Sequence, residues 1–130
     1  MKRLFWIGSS REDLKQFPDE VQDEMGHGLY LAQMGDRHNH AKTLSGLGNA
    51  KVIELRENDR SGTYRVIYTV EMAEFIFVLH AFQKKSKSGI ATPKQEIDLV
   101  KRRIKDAEVL YKELKGERSE EHTSELQSLA

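Results

Sequence analysis

Apolar and polar positions along the chain change their spacing several times, and each change marks the boundary of a predicted element. Residues 3–7 (RLFWI) form a short apolar run that is typical of a β-strand. Within residues 10–34, apolar side chains recur every four positions, which predicts helix. Pro18 interrupts this stretch, so we expect either two helical segments or one kinked helix. Residues 35–50 are rich in glycine and polar residues, and we expect a loop there.

Three further strands are predicted in the middle of the chain, at residues 51–57, 63–70 and 74–82. The last two are especially rich in β-branched and aromatic residues, which favour strands. The first two flank NDRSG, so we expect a hairpin with a five-residue connection. A short link then leads to the third strand, and short connections between strands predict an antiparallel meander.

The final helix is predicted to begin at Thr92. Thr92 and Gln95 have the spacing of a capping box, and Pro93 occupies the first helical position. Apolar residues then recur at three- and four-residue steps over residues 97–114, and Gly116 offers a natural helix stop. The order β–α–α–β–β–β–α predicts an α+β fold with a small antiparallel sheet, two N-terminal helical segments and one C-terminal helix.

The composition is that of a single domain without disulfides. A length of 130 residues suits one domain, and the absence of cysteine excludes disulfides, thiolate nucleophiles and zinc–thiolate sites. The absence also fits a reducing cytoplasm, where we expect the protein to act. We expect no membrane partner, because no apolar run approaches the roughly 20 residues that span a bilayer. The apolar run at the N-terminus is too short for a signal peptide.

The C-terminal segment differs from the rest of the chain. RSEEHTSELQS (residues 118–128) is polar, lacks periodicity and resembles the translation of a sequencing-library adapter. We therefore expect a single domain at residues 1–116, followed by a non-native or disordered tail at residues 117–130. A genuine disordered tail is the alternative.

The net charge is zero, but the charges are unevenly distributed along the chain. Residues 51–105 carry twelve basic residues against seven acidic ones, and residues 1–50 carry six against seven. Basic residues that gather beside strand ends favour an anionic partner. Ordinary solvated charge accounts for the asymmetry equally well.

Several kinds of site are absent from the sequence or only weakly indicated. There is no Walker-type phosphate loop, and the GLG at residues 46–48 lacks the third glycine and the βαβ setting of a dinucleotide site. His38 and His40 lie near Asp36 and could bind a metal, but exposed loop histidines are the more common interpretation of this spacing. We therefore predict no metal site and no cofactor.

Basic side chains are expected to meet at one end of the predicted sheet. Arg56 and Arg65 lie on either side of the hairpin, so antiparallel pairing can bring them close together. His80 and Lys84 lie along and beyond the third long strand. Polar donors crowded at the end of a rigid strand suit a backbone phosphate.

Such a group of cations suits RNA cleavage without a metal ion. The 2′-hydroxyl attacks the neighbouring phosphate, a base removes its proton, cations hold the developing charge, and an acid protonates the leaving 5′-oxygen. Arginine can only stabilise charge, whereas a lysine among cations can act as a base and histidine can take either role. Each of these residues also has a purely structural interpretation, which stays open. Arg65 could pair with Glu54 or Glu57, and His80 could lie in the core with its hydrogen bonds made to the backbone. The lysines could simply be solvated in a loop.

Five stretches of sequence together carry a family resemblance. They are SSREDLKQFP, AKTLSGLG, KVIEL, YRVIY and, most specifically, VLHAFQKKSKSGIATP. Through them the chain resembles the RelE/HigB-type toxins of bacterial type II toxin–antitoxin systems, especially the branch related to phage-derived host-killing proteins. The resemblance runs from Phe5 to Leu114.

The resemblance implies a RelE-like fold with helices on one face of the sheet. It implies a ribosome-dependent endonuclease that cleaves mRNA and inhibits translation. It also implies neutralisation by a cognate helix-turn-helix antitoxin. The toxin would then contact DNA only indirectly, through that antitoxin. Two alternatives remain: a non-enzymatic toxin of the ParE type, which acts on DNA gyrase, and an inactive toxin-like protein that only binds its partner.

The family pattern also implies roles for individual residues. The arginine of the YRV strand corresponds to Arg65, and the basic residue after the last strand corresponds to Lys84 or, less closely, Lys85. The family tyrosine beyond the last strand has no clear counterpart, so His80 is the substitute candidate for acid–base chemistry. The expected catalytic residues are Arg65, Lys84, His80 and Arg56, and the expected RNA-binding residues are Lys42, Lys51, Lys85 and Lys87.

Overall fold

The computed structural model describes residues 1–48, 50–70, 74–84 and 92–119, with backbone alone for residues 117–119. Within these ranges the chain forms a five-stranded sheet and three helices. The elements are β1 (Arg3–Trp6), α1 (Ser10–Leu14), α2 (Asp19–Gln33), β2 (Ala41–Leu44), β3 (Val52–Asp59), β4 (Gly62–Thr69), β5 (Phe75–Lys84) and α3 (Lys94–Ser119).

The sheet has the strand order β1-β5-β4-β3-β2. β1 runs parallel to β5, and the other neighbouring strands are antiparallel. The predicted α+β class is therefore confirmed, although the sheet is wider than the predicted meander. β2 lies in the stretch predicted to be a loop, and that prediction was wrong. The strand has four residues, and it lies at the edge of the sheet, where it pairs with β3. Because none of its side chains is buried, its sequence lacks the alternation of apolar and polar positions that identifies a strand.

Helices cover both faces of the sheet, so the expectation of helices on one face was wrong. α1 and α2 pack one face, where Met25 of α2 and Val66 of β4 belong to one core cluster. α3 packs the opposite face, where Val100 of α3 and Phe77 of β5 belong to a second core cluster. A strand covered on both faces needs apolar residues at successive positions, which explains the unbroken run FIFVL in β5.

The β3–β4 hairpin sets the register of the candidate site. Its loop contains only residues 60–61 instead of the predicted five, because both strands continue as far as the pair Asp59 and Gly62. Gly62 has a φ of 140°, a value that residues with a side chain rarely adopt. In this register Arg56 lies directly opposite Arg65.

A β-bulge in β5 changes the direction of one candidate side chain. Ile67 pairs with His80 and Tyr68 pairs with Val78, so Leu79 is an extra residue on β5. Leu79 belongs to the core cluster beneath α3, and the ring of His80 also bonds to α3. Two successive side chains of β5 therefore face α3, which regular strand alternation would not allow.

α3 begins and ends differently from the prediction. Its first residue is Lys94, and the hydroxyl of Thr92 bonds to side chains of the sheet rather than to the first helical turn. The helix continues through Gly116 to Ser119, since one glycine costs only about 1 kcal/mol relative to alanine. Residues 120–130, most of the predicted tail, lie outside the described residues. Within the described ranges, no helix has the length and apolar content needed to span a membrane.

Gly28 in α2 approaches β3 so closely that a larger residue would collide. A Cβ atom there would lie 2.8 Å from Leu55 Cδ1, whereas a Cβ atom at Gly26 would meet nothing within 4 Å. We predict that Gly26→Ala stabilises the protein by up to about 1 kcal/mol through helix propensity. Gly28→Ala forces the buried Leu55 to move, so it should be less stable than Gly26→Ala by about 1–3 kcal/mol. Urea unfolding measures the difference, and equal stabilities would contradict this close approach.

Candidate functional site

Three cations predicted to form the site lie on the sheet face that carries α3. Arg56 of β3 lies directly opposite Arg65 of β4. Lys84 of β5 lies opposite Thr63, two residues along β4 from Arg65, and therefore on the same face. The register thus brings Arg56, Arg65 and Lys84 together on three adjacent strands, and we call these three residues with Glu54 and Thr92 the basic cluster.

Glu54 is the centre of the basic cluster and is almost fully buried. Its Oε1 accepts a hydrogen bond from Arg56 Nη2 at 3.3 Å, and its Oε2 accepts one from Arg65 Nη1 at 3.5 Å. The hydroxyl of Thr92 donates to Oε2 at 2.6 Å and accepts from Arg65 Nη1 at 3.0 Å. One carboxylate therefore joins two strands and the start of α3, while the three cations outnumber it.

Arg65 is buried beside Thr92, just before the start of α3. Only 2% of the residue is exposed, and its guanidinium lies against Thr92. Burial lowers the pKa of Arg65 and Glu54 opposes that shift, and the guanidinium still stays charged because arginine is a very weak acid. The pairing with Glu54 matches one of the structural alternatives, and direct contact between Arg65 and a phosphate is not available in this conformation.

Lys84 is the cation of the cluster whose proton is the easiest to remove, because lysine is a stronger acid than arginine. The residue is 8% exposed. Burial lowers the pKa of Lys84 below its ordinary value of 10.5, and the charges of Arg65 and Arg56 lower it further, against an opposing effect of Glu54. A neutral amine is therefore more accessible here than on a solvated lysine.

His80 lies under α3, where the bulge in β5 directs it. Its Nε2 pairs with Glu96 Oε2 of α3, and its ring stacks on Phe82 with centroids 4.7 Å apart. Its Nδ1 is buried and makes no hydrogen bond within the described part of the chain. The alternative of a core histidine satisfied by backbone was therefore wrong, since its partner is a carboxylate.

A cleft of about 440 Å³ opens on the β2 side of the basic cluster. Its lining includes Glu54, Arg56 and the exposed Lys42, which pairs with Glu54 across β2 and β3. The cleft is therefore the route by which a ligand can reach Arg56, whose side chain is 28% exposed.

The remaining predicted RNA-binding residues lie elsewhere. Lys51 precedes β3 at the end of the sheet remote from Lys84, and it lines a separate hollow with Ile53 and Tyr68 on the α2 side. The structure therefore does not bring Lys51 into the basic cluster. Lys85 and Lys87 lie outside the described residues.

Sequence reasoning treated Glu54 only as a possible partner of Arg65 and gave Glu96 no role. The sequence does indicate that Glu54 is unusual. It is the one charged residue in the run VIEL of β3, and a strand that is buried on both faces normally carries apolar side chains at successive positions. Thr92 was expected to cap a helix, and its position next to Glu54 depends on packing that sequence spacing does not encode.

Comparisons with known proteins place the chain in a family. The model of the family described as phage derived protein Gp49-like (DUF891) matches residues 12–105, so the chain belongs to this family. A crystal structure of the isolated E. coli RelE toxin is similar, with 17% sequence identity and a TM-score of 0.48, over 78% of this chain and 98% of that one. A search of curated proteins finds no match.

The buried carboxylate of Glu54 should be a major determinant of stability. Removing one partner of a buried ion pair leaves the other charge uncompensated, so Glu54→Gln should lower the free energy of unfolding by about 3 kcal/mol. Glu57→Gln is the matched control, because it breaks a pair with the exposed His40 and should cost less than about 1 kcal/mol. Urea unfolding at pH 7 compares the two, and similar losses would show that Glu54 does not anchor the cluster.

Proposed function

From its membership of the Gp49-like family and the strand-end motif that resembles RelE/HigB-type toxins, we propose that this protein is the toxin of a type II toxin–antitoxin system. We further propose that it cleaves mRNA on the ribosome and thereby inhibits translation, with a helix-turn-helix antitoxin as its neutralising partner. The observation that carries the proposal is Lys84, whose pKa is lowered by burial and by two neighbouring arginines on one sheet face.

The proposed reaction uses the groups of the basic cluster in turn. Neutral Lys84 removes the proton of a ribose 2′-hydroxyl, whose oxygen attacks the adjacent phosphorus and forms a 2′,3′-cyclic phosphate. Arg56, which is accessible from the cleft, stabilises the charge that develops on the phosphoryl oxygens. The exposed Lys42 guides the RNA backbone into the cleft.

Arg65 contributes without touching RNA in this proposal. Its charge helps to lower the pKa of Lys84, and its bond to Glu54 fixes the carboxylate that also holds Arg56. It is therefore a positioning residue, a narrower role than the direct phosphate contact that the sequence suggested.

His80 is the candidate acid for the leaving 5′-oxygen. Glu96 and Phe82 hold its ring in one orientation under α3. Neutral lysine as the base and histidine as the acid together account for both proton transfers.

A second candidate function is favoured by the burial of the site. Arg65 is 2% exposed and Lys84 is 8% exposed, which suits a protein that binds an antitoxin or RNA without cutting it. Expression separates the two candidates, because the second predicts a soluble protein that captures its partner and never slows growth.

Replacing Lys84 should abolish growth arrest when the protein is expressed in bacteria. Lys84→Met removes the proposed base, and loss of general base catalysis reduces rates by roughly 10²–10⁴-fold. Lys51→Met is the matched control, since Lys51 lies at the far end of the sheet and should leave the arrest intact. Growth curves with immunoblots for soluble protein measure both. Full toxicity of soluble Lys84→Met would remove Lys84 from the mechanism.

The rate of RNA cleavage should rise more steeply with pH in the wild-type protein than in Lys84→Arg, because only the wild-type base gains a neutral fraction. A base must be neutral to act, and the lowered pKa of Lys84 means that its neutral fraction grows at pH values below the ordinary 10.5. Single-turnover cleavage of ribosome-bound mRNA across pH 6–9 measures the slope. Lys84→Arg cannot deprotonate, so its profile should lack the contribution of this base, and parallel profiles for the two proteins would contradict the assignment.

A further inference from the structure

We propose that His38, His40 and Glu57 bind one Zn²⁺ ion. Among the residues that the structure describes, these three offer ligand atoms that all lie within 4.8 Å of one another. They come from the segment between α2 and β2 and from strand β3. Two imidazoles and one carboxylate form a donor set that zinc uses with three protein ligands and an open position.

The donor atoms have nearly the spacing that zinc requires. His40 Nδ1 lies 2.6 Å from Glu57 Oε1. Around a tetrahedral zinc with bonds of about 2.0–2.2 Å, neighbouring donor atoms lie roughly 3.4 Å apart. His40 and Glu57 are hydrogen-bonded and closer than this value, and no two donors are more than 4.8 Å apart, so a shared ion requires His40 and Glu57 to separate by roughly 0.8 Å.

The hydrogen bonds of His38 identify Nδ1 as its lone-pair nitrogen. The backbone N–H of His40 donates to His38 Nδ1 at 3.0 Å, so the matching tautomer carries its proton on Nε2, and a zinc ion at Nδ1 would displace this N–H. His38 Nε2 lies 3.2 Å from Glu24 Oε2, to which it can donate that proton. A carboxylate on the far nitrogen is the arrangement that orients zinc-binding histidines and raises their basicity.

The surroundings also suit an entering cation. The side chain of His40 is 58% exposed, and both His40 and Glu57 line the cleft beside the basic cluster. An ion at this position would connect the segment after α2 to strand β3. Nitrogen donors select zinc over magnesium or calcium, which prefer oxygen.

Isothermal titration of the full chain with zinc chloride tests the proposal without RNA. The expected result is saturable binding of one zinc ion per chain. His40→Ala and Glu57→Gln should each weaken the affinity at least tenfold, and Glu24→Gln should weaken it about tenfold by removing the orienting carboxylate. His122→Ala is the control for the histidine nearest the C-terminus and should leave the affinity unchanged.

Thermal unfolding provides a second readout. Zinc at a hundredfold excess over its Kd should raise the Tm of the wild-type protein by roughly 5–10 °C, and the Tm of His40→Ala much less. Circular dichroism without zinc should show that His40→Ala keeps its fold, because the removed ring is mostly exposed. The proposal is overturned by an absence of saturable binding, by binding that survives both ligand substitutions, or by binding that His122→Ala abolishes.

Discussion

The structure of the candidate site depends on one buried carboxylate that is shared by two guanidinium groups. Glu54 holds Arg56 and Arg65 from neighbouring strands and receives the hydroxyl of Thr92 from the start of α3. A carboxylate without these partners would be expensive to bury, and two facing arginines without the carboxylate would repel each other. The interaction therefore joins β3, β4 and the residue Thr92 before α3, and it shapes the electrostatics of the site.

The same interaction explains why the site is both charged and covered. Burial lowers the pKa of Lys84, and because Glu54 compensates only one of the three clustered cations, the charges of Arg65 and Arg56 lower it further. A lysine that loses its proton readily suits proton abstraction, and an accessible Arg56 suits a phosphate. In the proposed mechanism, the burial of Arg65 limits that residue to an indirect role, so that Arg65 would prepare the base electrostatically while Arg56 would contact the substrate.

Much of this arrangement could be predicted from sequence, because strand pairing is local and periodic. The predicted hairpin allows Arg56 and Arg65 to lie on the same face of the sheet. The end of β5 places Lys84 on that face as well. The bulge at Leu79, the edge strand β2 and the cover of α3 arise from long-range packing, which leaves little periodic signal. Glu57 and Glu24 reach the loop histidines only through the fold, whereas sequence proximity had pointed to Asp36.

The most direct test of this account is the pKa of Lys84, measured by NMR from the chemical shift of its ¹³Cε atom during a pH titration. We expect a value below the ordinary 10.5, and a rise toward that value in Arg56→Gln, because one of the neighbouring positive charges is removed. A wild-type value at or above 10.5, or one that Arg56→Gln leaves unchanged, would contradict the claim that burial and clustered arginines prepare Lys84 to act as a base.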